Sequence, residues 1–286
     1  MQNDYKFLVN GTITDVNRLP NAFNNRGFLY ADGFFESMRL INNEIPLFDL
    51  HFGRINDSLA AYQISMPSSL EKDALLDSLK ELATQSGLTK SARIRLTIYR
   101  GGGGKFSPKS NIAEWFASIE HISSDGFELN SKGVAIGLFT DLTKTPDKFS
   151  NYKNLNSTIS IQAALYASKK GLDDALILNN EHQIIEATGS NIFLVSNGNL
   201  YTPNLTSGPV GGVMRASIFN LAIELGIKVF ECTLTPQELL KADEVFLTNA
   251  VSGIRWVASY RTKRYFNKVS SMLLHELNTR LQSLVP

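Results

Sequence analysis

Apolar positions recur with two different periods along this chain, and the switches between them set out its elements. Tyr5 to Val9 alternates weakly and runs into Asn10-Gly11, a two-residue hairpin turn, with Thr12 to Val16 returning. Phe34 to Ile41 reads as a strand, Asn42-Asn43 as a turn, and Ile45 to Phe48 as the partner strand. From Leu50 to Tyr62, apolar Leu50, Ile55, Leu59 and Tyr62 fall near helical spacing and predict an amphipathic helix. Ser68 or Ser69 is placed to cap a second helix reaching about Gln85, with Glu71 in its first turn and Gly87 ending it. In Ala92 to Tyr99, Ile94, Leu96 and Ile98 alternate with Arg93, Arg95 and Thr97, the pattern of a half-buried strand. Gly101 to Gly104 breaks it, and Glu114 to Glu120 resumes β character.

Ser123 to Lys132 is polar, contains Asp125-Gly126 and has little periodicity. It reads as a linker between a smaller domain over 1–122 and a larger one over 133–286. Beyond it the pattern predicts a strand at Val134 to Phe139 and a helix at Thr158 to Lys170. Short strands follow at Asp174 to Leu178, Gln183 to Glu186, Asn191 to Val195 and Leu200 to Thr202. A Gly-rich turn opens a helix from Val213 to Leu225. Lys228 to Cys232 (strand), Pro236 to Lys241 (helix) and Glu244 to Thr248 (strand) complete the series. Helices and strands mix without a regular βαβ rhythm, so the fold class is α+β rather than a doubly wound sheet.

Bulk properties narrow the partners. With 286 residues, 43% hydrophobic and 19% charged, the chain has the composition of a globular protein large enough for two domains. A formal net charge of +1 supplies no field for nucleic acid or an anionic membrane, which points to a small-molecule partner. The start, MQNDYKFLVNG, lacks a basic segment followed by an apolar one, and no apolar run reaches the length of a membrane span. Cys232 is the single cysteine, so no intrachain disulfide can form. A cytoplasmic location is the expectation.

Three places could carry chemistry. Gly208-Pro-Val-Gly-Gly-Val-Met-Arg215 sets a glycine pair directly before a helix, where unpaired N–H groups and the helix dipole favour phosphate; a plain tight turn is the competing reading. Lys153, in Asn151-Tyr-Lys-Asn-Leu-Asn156, could form an imine with a carbonyl if desolvated, though most lysines are solvated surface groups. Glu186 ends the apolar run Gln183-Ile-Ile-Glu186, where its carboxylate could hold a protonated ring nitrogen or simply face water. The four glycines at Gly101 to Gly104 match no phosphate-binding pattern and read as a hairpin tip.

Taken in order, these pieces are similar to the class-IV aminotransferases. Tyr30-Ala-Asp-Gly-Phe-Phe-Glu-Ser-Met-Arg39 resembles that family's G-D-G-x-F-E-x-x-R segment, and His51-Phe-Gly-Arg54 contains its arginine. Lys153-x-x-Asn156 resembles the Schiff-base lysine motif, Glu186-x-x-x-x-Asn191 the pyridine-nitrogen motif, and Gly211-Gly212 with Arg215 the later glycine turn. The resemblance spans almost the whole chain. It implies the two-domain D-amino-acid-aminotransferase-like fold (pyridoxal-phosphate fold type IV), with pyridoxal 5'-phosphate as cofactor and a homodimer.

The resemblance also distributes roles. Lys153 would carry the cofactor and move protons, and Glu186 would keep the pyridine nitrogen protonated so that the ring accepts electrons. Arg54 would pair with the phosphate, joined by the amides of Val213 and Met214 and a contact at Ala250-Val251, with Val210 packed on the ring. Tyr30, Phe35, Arg39, Arg95 and Arg100 would shape a pocket for an amino substrate bearing a carboxylate. Three features favour 4-amino-4-deoxychorismate lyase within the family. A tyrosine usual in branched-chain aminotransferases is missing near Ser157. Asn249-Ala250 resembles the lyases' Asn-Ala pair. Arg100-Gly-Gly-Gly-Gly-Lys-Phe-Ser107 resembles their loop R-G-x-G-G-R-G-Y-S, with Lys105 in place of an arginine. The alternatives are a branched-chain or D-amino-acid aminotransferase and, in another class, a non-catalytic vitamin-B6 binder.

Overall fold

The computed structural model describes residues 6–15 and 25–284. Its contacts divide the chain into two units. The first holds the described residues up to Gly126 together with Tyr152–Asn156; the second holds Phe127–Asn151 and Ser157–Leu284.

The first unit contains β1 (Lys6–Val9), β2 (Thr12–Asp15), α1 (Arg26–Tyr30), β3 (Gly33–Ile41), α2 (Phe48–Tyr62), α3 (Lys72–Gln85), β4 (Ser91–Arg100) and β5 (Ala113–His121). Its five strands form an antiparallel sheet in the order β2-β1-β5-β4-β3. Asn10 and Gly11 both take positive φ, 47° and 88°, as a two-residue hairpin between β1 and β2 requires. Tyr5 and Val16, the expected ends of that hairpin, lie outside the described residues. Side chains alternate across the sheet. Met38 and Leu40 of β3 and Ile94, Leu96 and Ile98 of β4 pack with Ile55 and Leu59 of α2 and Leu75, Leu79 and Leu82 of α3. Phe35, Ser37 and Arg39 therefore lie on the opposite face.

Two sequence expectations are corrected in this unit. Ile45 to Phe48 does not form a partner strand. Only the bridge Ile41↔Glu44 forms, Leu47 turns left-handed at φ 63°, and Phe48 already begins α2. Pro46 has no N–H to give a ladder, so the segment turns into a helix instead. Ser68 and Ser69 do not cap α3; they lie in a short 3-10 turn through Leu70, and Glu71 is the N-cap. Helix α1 had no periodic signal in its five residues.

The second unit contains β6 (Val134–Lys144), α4 (Thr158–Lys169), β7 (Asp174–Asn179), β8 (Ile184–Ala187), β9 (Asn191–Ser196), β10 (Asn199–Pro203), α5 (Val213–Glu224), β11 (Val229–Cys232), α6 (Pro236–Lys241), β12 (Glu244–Asn249), β13 (Gly253–Tyr260), β14 (Lys263–Arg264) and α7 (Lys268–Leu284). The sheet runs β11-β10-β9-β12-β13-β6-β7-β8, with β14 beside β13. Pairs β10/β11, β13/β6 and β6/β7 are parallel and the others antiparallel, the mixture expected of an α+β fold. Strands β7 and β8 are buried along their whole length, and β9 and β12 everywhere but at their last residue. Burial on both faces explains their unbroken apolar runs. Ala175 and Ile177 of β7 meet Ala163 and Ala167 of α4, while Leu176 and Leu178 join a second core with Ile192, Leu194, Val245 and Leu247.

Within the polar stretch Ser123 to Lys132, Arg39 donates to the Ser124 carbonyl in the first unit. In the second, Asn130 holds Trp256 through its amide nitrogen (to O, 3.1 Å) and amide oxygen (from N, 2.9 Å). Among the described residues no helix is long and apolar enough to cross a membrane.

Candidate active site

Backbone hydrogen bonds fix the segment that carries Lys153. The Phe35 amide donates to the Lys153 carbonyl at 2.8 Å and the Leu155 amide to the Gly33 carbonyl at 3.2 Å, so Tyr152–Asn156 extends the β3 edge. A residue at Gly33 would put its Cβ 2.3 Å from the Ile98 carbonyl, which leaves glycine there. This register brings Lys153 Nζ to 4.5 Å from the centre of the Phe35 ring, with Arg95 Cζ over the same ring at 3.8 Å. Each cation gains from the ring's quadrupole. Among the described residues no hydrogen bond or ion pair engages the Arg95 guanidinium. Burial, then the charge of Arg93, lower its pKa from the usual 12.5, and it stays a cation at neutral pH. The structure thus brings together three residues that the sequence placed far apart: Phe35, Arg95 and Lys153.

Behind that face lies a buried ionic cluster. Arg54 of α2 donates Nε to Glu36 Oε1 at 2.7 Å and Nη2 to Oε2 at 2.6 Å, and His51 Nδ1 lies 2.7 Å from Oε2. His51 and Arg54 stand three residues apart and so share one helix face. Burial would raise the Glu36 pKa, but the Arg54 and His51 interactions outweigh it and bring it to about 2. Burial, with the charges of Arg54 and Lys153, lowers that of His51 below 6.5. A neutral His51 then gives its Nδ1 proton to Glu36, and Nε2 is buried with no partner among the described residues. Sequence reading passed over Glu36. The signal was present: Glu36 falls between Phe34 and Met38 on the core-facing parity of β3, where a carboxylate needs a buried partner.

In the second unit, Glu186 on β8 is buried and fixed at both oxygens. Oε1 accepts from Lys144 Nζ at 2.9 Å and Oε2 from the Val210 amide at 2.8 Å. Asn191 Nδ2 donates to the Val210 carbonyl at 2.7 Å, so Glu186 and Asn191 grip one residue of the glycine turn from its two sides. Asn151 grips the rest: its side chain donates to the carbonyls of Leu205 and Pro209, and its carbonyl accepts from Gly211. The five-residue step from Glu186 to Asn191 thus serves to hold Val210. No sequence signal marked Lys144 or Asn151.

The turn leads into α5, whose N-cap Gly212 makes no side-chain capping bond. The amides of Val213 and Met214 lie in its first turn, where helix geometry gives them no internal partner. A Cβ on Gly212 would lie 1.8 Å from Asn191 Oδ1. Ala250 and Val251 form the turn between β12 and β13. There the Val251 amide already donates to Asn249 Oδ1 at 3.0 Å, a local competitor for its expected phosphate contact.

The remaining pocket candidates sit elsewhere in the first unit. Arg39 is buried and donates to Ser91 Oγ (2.9 Å), Ser124 and the Gly126 carbonyl. Arg100 is spent on Asp32, Asn111 and the carbonyls of Tyr62 and Gln63. Tyr30 lies 5.7 Å from Phe106 in the loop after β4. That loop is built rather than loose. Buried Arg26 donates to the carbonyls of Gly103, Gly104 and Lys105, while its Nε binds Asp32 at 2.8 Å. Gly102, Gly103 and Gly104 take φ of 79°, 68° and 90°, which L side chains adopt rarely.

Comparison with known proteins bears on these clusters together. Residues 33–260 match the family model described as amino-transferase class IV. A Methanocaldococcus jannaschii protein, provisionally named branched-chain-amino-acid aminotransferase, is 30% identical over 87% of this chain and 85% of its own length. The aminodeoxychorismate lyase of Vibrio harveyi is 27% identical over 93% of this chain and 97% of its own. Among solved structures, the branched-chain aminotransferase of Thermoproteus uzoniensis superposes with a TM-score of 0.86 at 22% identity, covering 95% of this chain and 93% of that one.

Proposed function

Since the chain belongs to the class IV aminotransferase family and is therefore a pyridoxal-phosphate-dependent enzyme, we propose that it is a 4-amino-4-deoxychorismate lyase, releasing pyruvate and 4-aminobenzoate. The side chains described above fit pyridoxal 5'-phosphate in kind. Lys153 offers an amine for its aldehyde, and Glu186, buried and fixed at both oxygens, offers a carboxylate for its ring nitrogen. Arg54 and the uncapped first turn of α5 offer donors for its phosphate. When bound, the cofactor supplies an electron sink for the carbon bearing the substrate's amine.

The chain's own residues would do the rest. Lys153 would hold the cofactor through Nζ, yield that place to the substrate's amine, and then hold and move a proton at Nζ. Glu186 would favour the protonated form of the ring nitrogen. Arg54 and the Val213 and Met214 amides would hold the phosphate, and Val210 would pack on the ring. Arg95, a half-buried cation whose donors no described residue engages, would take a substrate carboxylate. Arg39 and Arg100, engaged by the protein's own acceptors, support the wall of the first unit instead. The working form is a homodimer in this reading, which light scattering on the purified protein tests.

The observation that carries the lyase reading is the loop Arg100 to Ser107. Its sequence resembles the lyase loop, and in this chain successive glycines at positive φ and the buried Arg26 hold it in place. Aminotransfer is the second reading, favoured by the relative from Methanocaldococcus jannaschii. Incubation with aminodeoxychorismate should yield 4-aminobenzoate and pyruvate in equal amounts. Neither product, alongside turnover of leucine or D-alanine with 2-oxoglutarate, would overturn the lyase in favour of the transaminase. Lys153→Ala should abolish either activity and leave the fold intact.

A further inference from the structure

Lys144 is absent from every motif above, yet its ammonium is one of the two partners of Glu186 among the described residues. It stands at the end of β6, with its side chain 18% exposed against 10% for that of Glu186, and it also donates to the Ser150 carbonyl at 3.2 Å. An ion pair this far from water gains little net stability, because desolvating both charges offsets most of their attraction. Orientation of Glu186 does not require the lysine either, since the Val210 amide already fixes the other oxygen. What the lysine adds is charge, 2.9 Å from the carboxylate that our reading assigns to the ring nitrogen.

We propose that Lys144 is a positioning residue that shares the Glu186 carboxylate with the cofactor's ring nitrogen and so moderates how firmly that nitrogen is held protonated. The inference rests on the reading of Glu186 as the ring-nitrogen partner. A carboxylate serving two cations holds each less strongly than one serving a single cation, and the two cations also repel each other. The ring nitrogen would then be shared between protonated and neutral forms, with the balance set by a residue outside the cofactor's own contacts.

The test uses holoenzyme loaded with pyridoxal phosphate labelled with ¹⁵N in the ring. The wild-type resonance should lie between the pyridine and pyridinium limits. Lys144→Met should move it toward pyridinium, by about a tenfold change in the ratio of the two forms, and Lys144→Arg should restore the wild-type position. Glu186→Gln should move it to the pyridine limit. A resonance unmoved in Glu186→Gln overturns the reading of Glu186, and the inference with it. A resonance that moves in Glu186→Gln but not in Lys144→Met overturns the inference alone and leaves the lysine a structural partner. If Lys144→Met does not fold, Lys144→Gln is compared with wild type for binding of pyridoxal phosphate and of its analogue with carbon in place of the ring nitrogen. Tighter binding of the first alone supports the inference, and equal changes in both overturn it.

Discussion

Glu36 and Arg54 meet as a two-point pair, Nε to Oε1 at 2.7 Å and Nη2 to Oε2 at 2.6 Å, with only 1% and 10% of their side chains exposed. The pair locks the guanidinium plane before any ligand arrives. Removing one member leaves the other charged and buried. Glu36→Ala should therefore destabilise the protein by roughly 3–5 kcal/mol in urea denaturation, far beyond an exposed ion pair. A loss under about 1 kcal/mol would show that water reaches Arg54 and that the pair is not closed.

The same cluster sets the acid limb of stability. Glu36 has a lowered pKa, so its contribution is present above its ordinary 4.5 and is lost as pH falls from there toward about 2. His51 is also lowered, so its contribution is present above 6.5 and begins to be lost below that value, where the unfolded chain takes up a proton first. Urea midpoints measured from pH 7.5 to 3 should thus fall in two stages. His51→Phe should flatten the stage just below pH 6.5. A variant that follows the wild-type slope between pH 6.5 and 5 would contradict a neutral, buried His51.

Gly212→Ala places a methyl group where Asn191 Oδ1 now lies, 1.8 Å away. Asn191 must move off the Val210 carbonyl, costing a buried hydrogen bond, about 1–3 kcal/mol. The melting temperature should drop and pyridoxal phosphate should bind less tightly. Both values unchanged would mean that the turn can shift without cost.

Arg26→Ala removes the donor to three consecutive loop carbonyls and breaks the bond to Asp32. Hydrogen bonds from a buried guanidinium contribute about 1.5–3 kcal/mol each at most, and they share one side chain. Limited proteolysis should cut the loop after β4 faster in this variant than in wild type. Equal cutting rates would show the glycines alone hold the loop.

Arg95→Ala should raise KM for a carboxylate-bearing substrate about tenfold to hundredfold, the loss of one charge-assisted hydrogen-bond set. The Phe35 ring remains to hold Lys153, so trapping of the cofactor by borohydride should persist. An unchanged KM would move the carboxylate site to another cation.

Much of the scaffold was legible from periodicity. Strands β3, β4 and β5 and helices α2, α4 and α5 follow their apolar spacing within a residue or two, because each buries one face or both. What the spacing could not convey is bonding between distant segments. Ile45 to Phe48 has a strand's composition, but Pro46 removes a donor and the chain turns into α2, while the start of β3 takes Lys153 and Leu155 at its edge. Of the site, Lys153, Glu186, Arg54 and the glycine turn were readable as motifs. Lys144 and Asn151 were not, since their meaning lies in what they touch: the Glu186 carboxylate, and the carbonyls of Leu205 and Pro209. Beyond Thr248 no element was anticipated, although β13 and α7 together make up much of the C-terminal region.

The short return of Tyr152–Asn156 to the first unit makes neither unit a continuous stretch of chain. Cutting the gene after Gly126 would yield a fragment with the Phe35 amide and Gly33 carbonyl bare at a sheet edge, and without the lysine. Chimeras between relatives meet the same constraint. A single crossover at Gly126 would pair one parent's β3 with the other parent's five-residue strap, and the lysine's register depends on both. Crossovers that keep β3 and residues 152–156 from the same parent should give working hybrids.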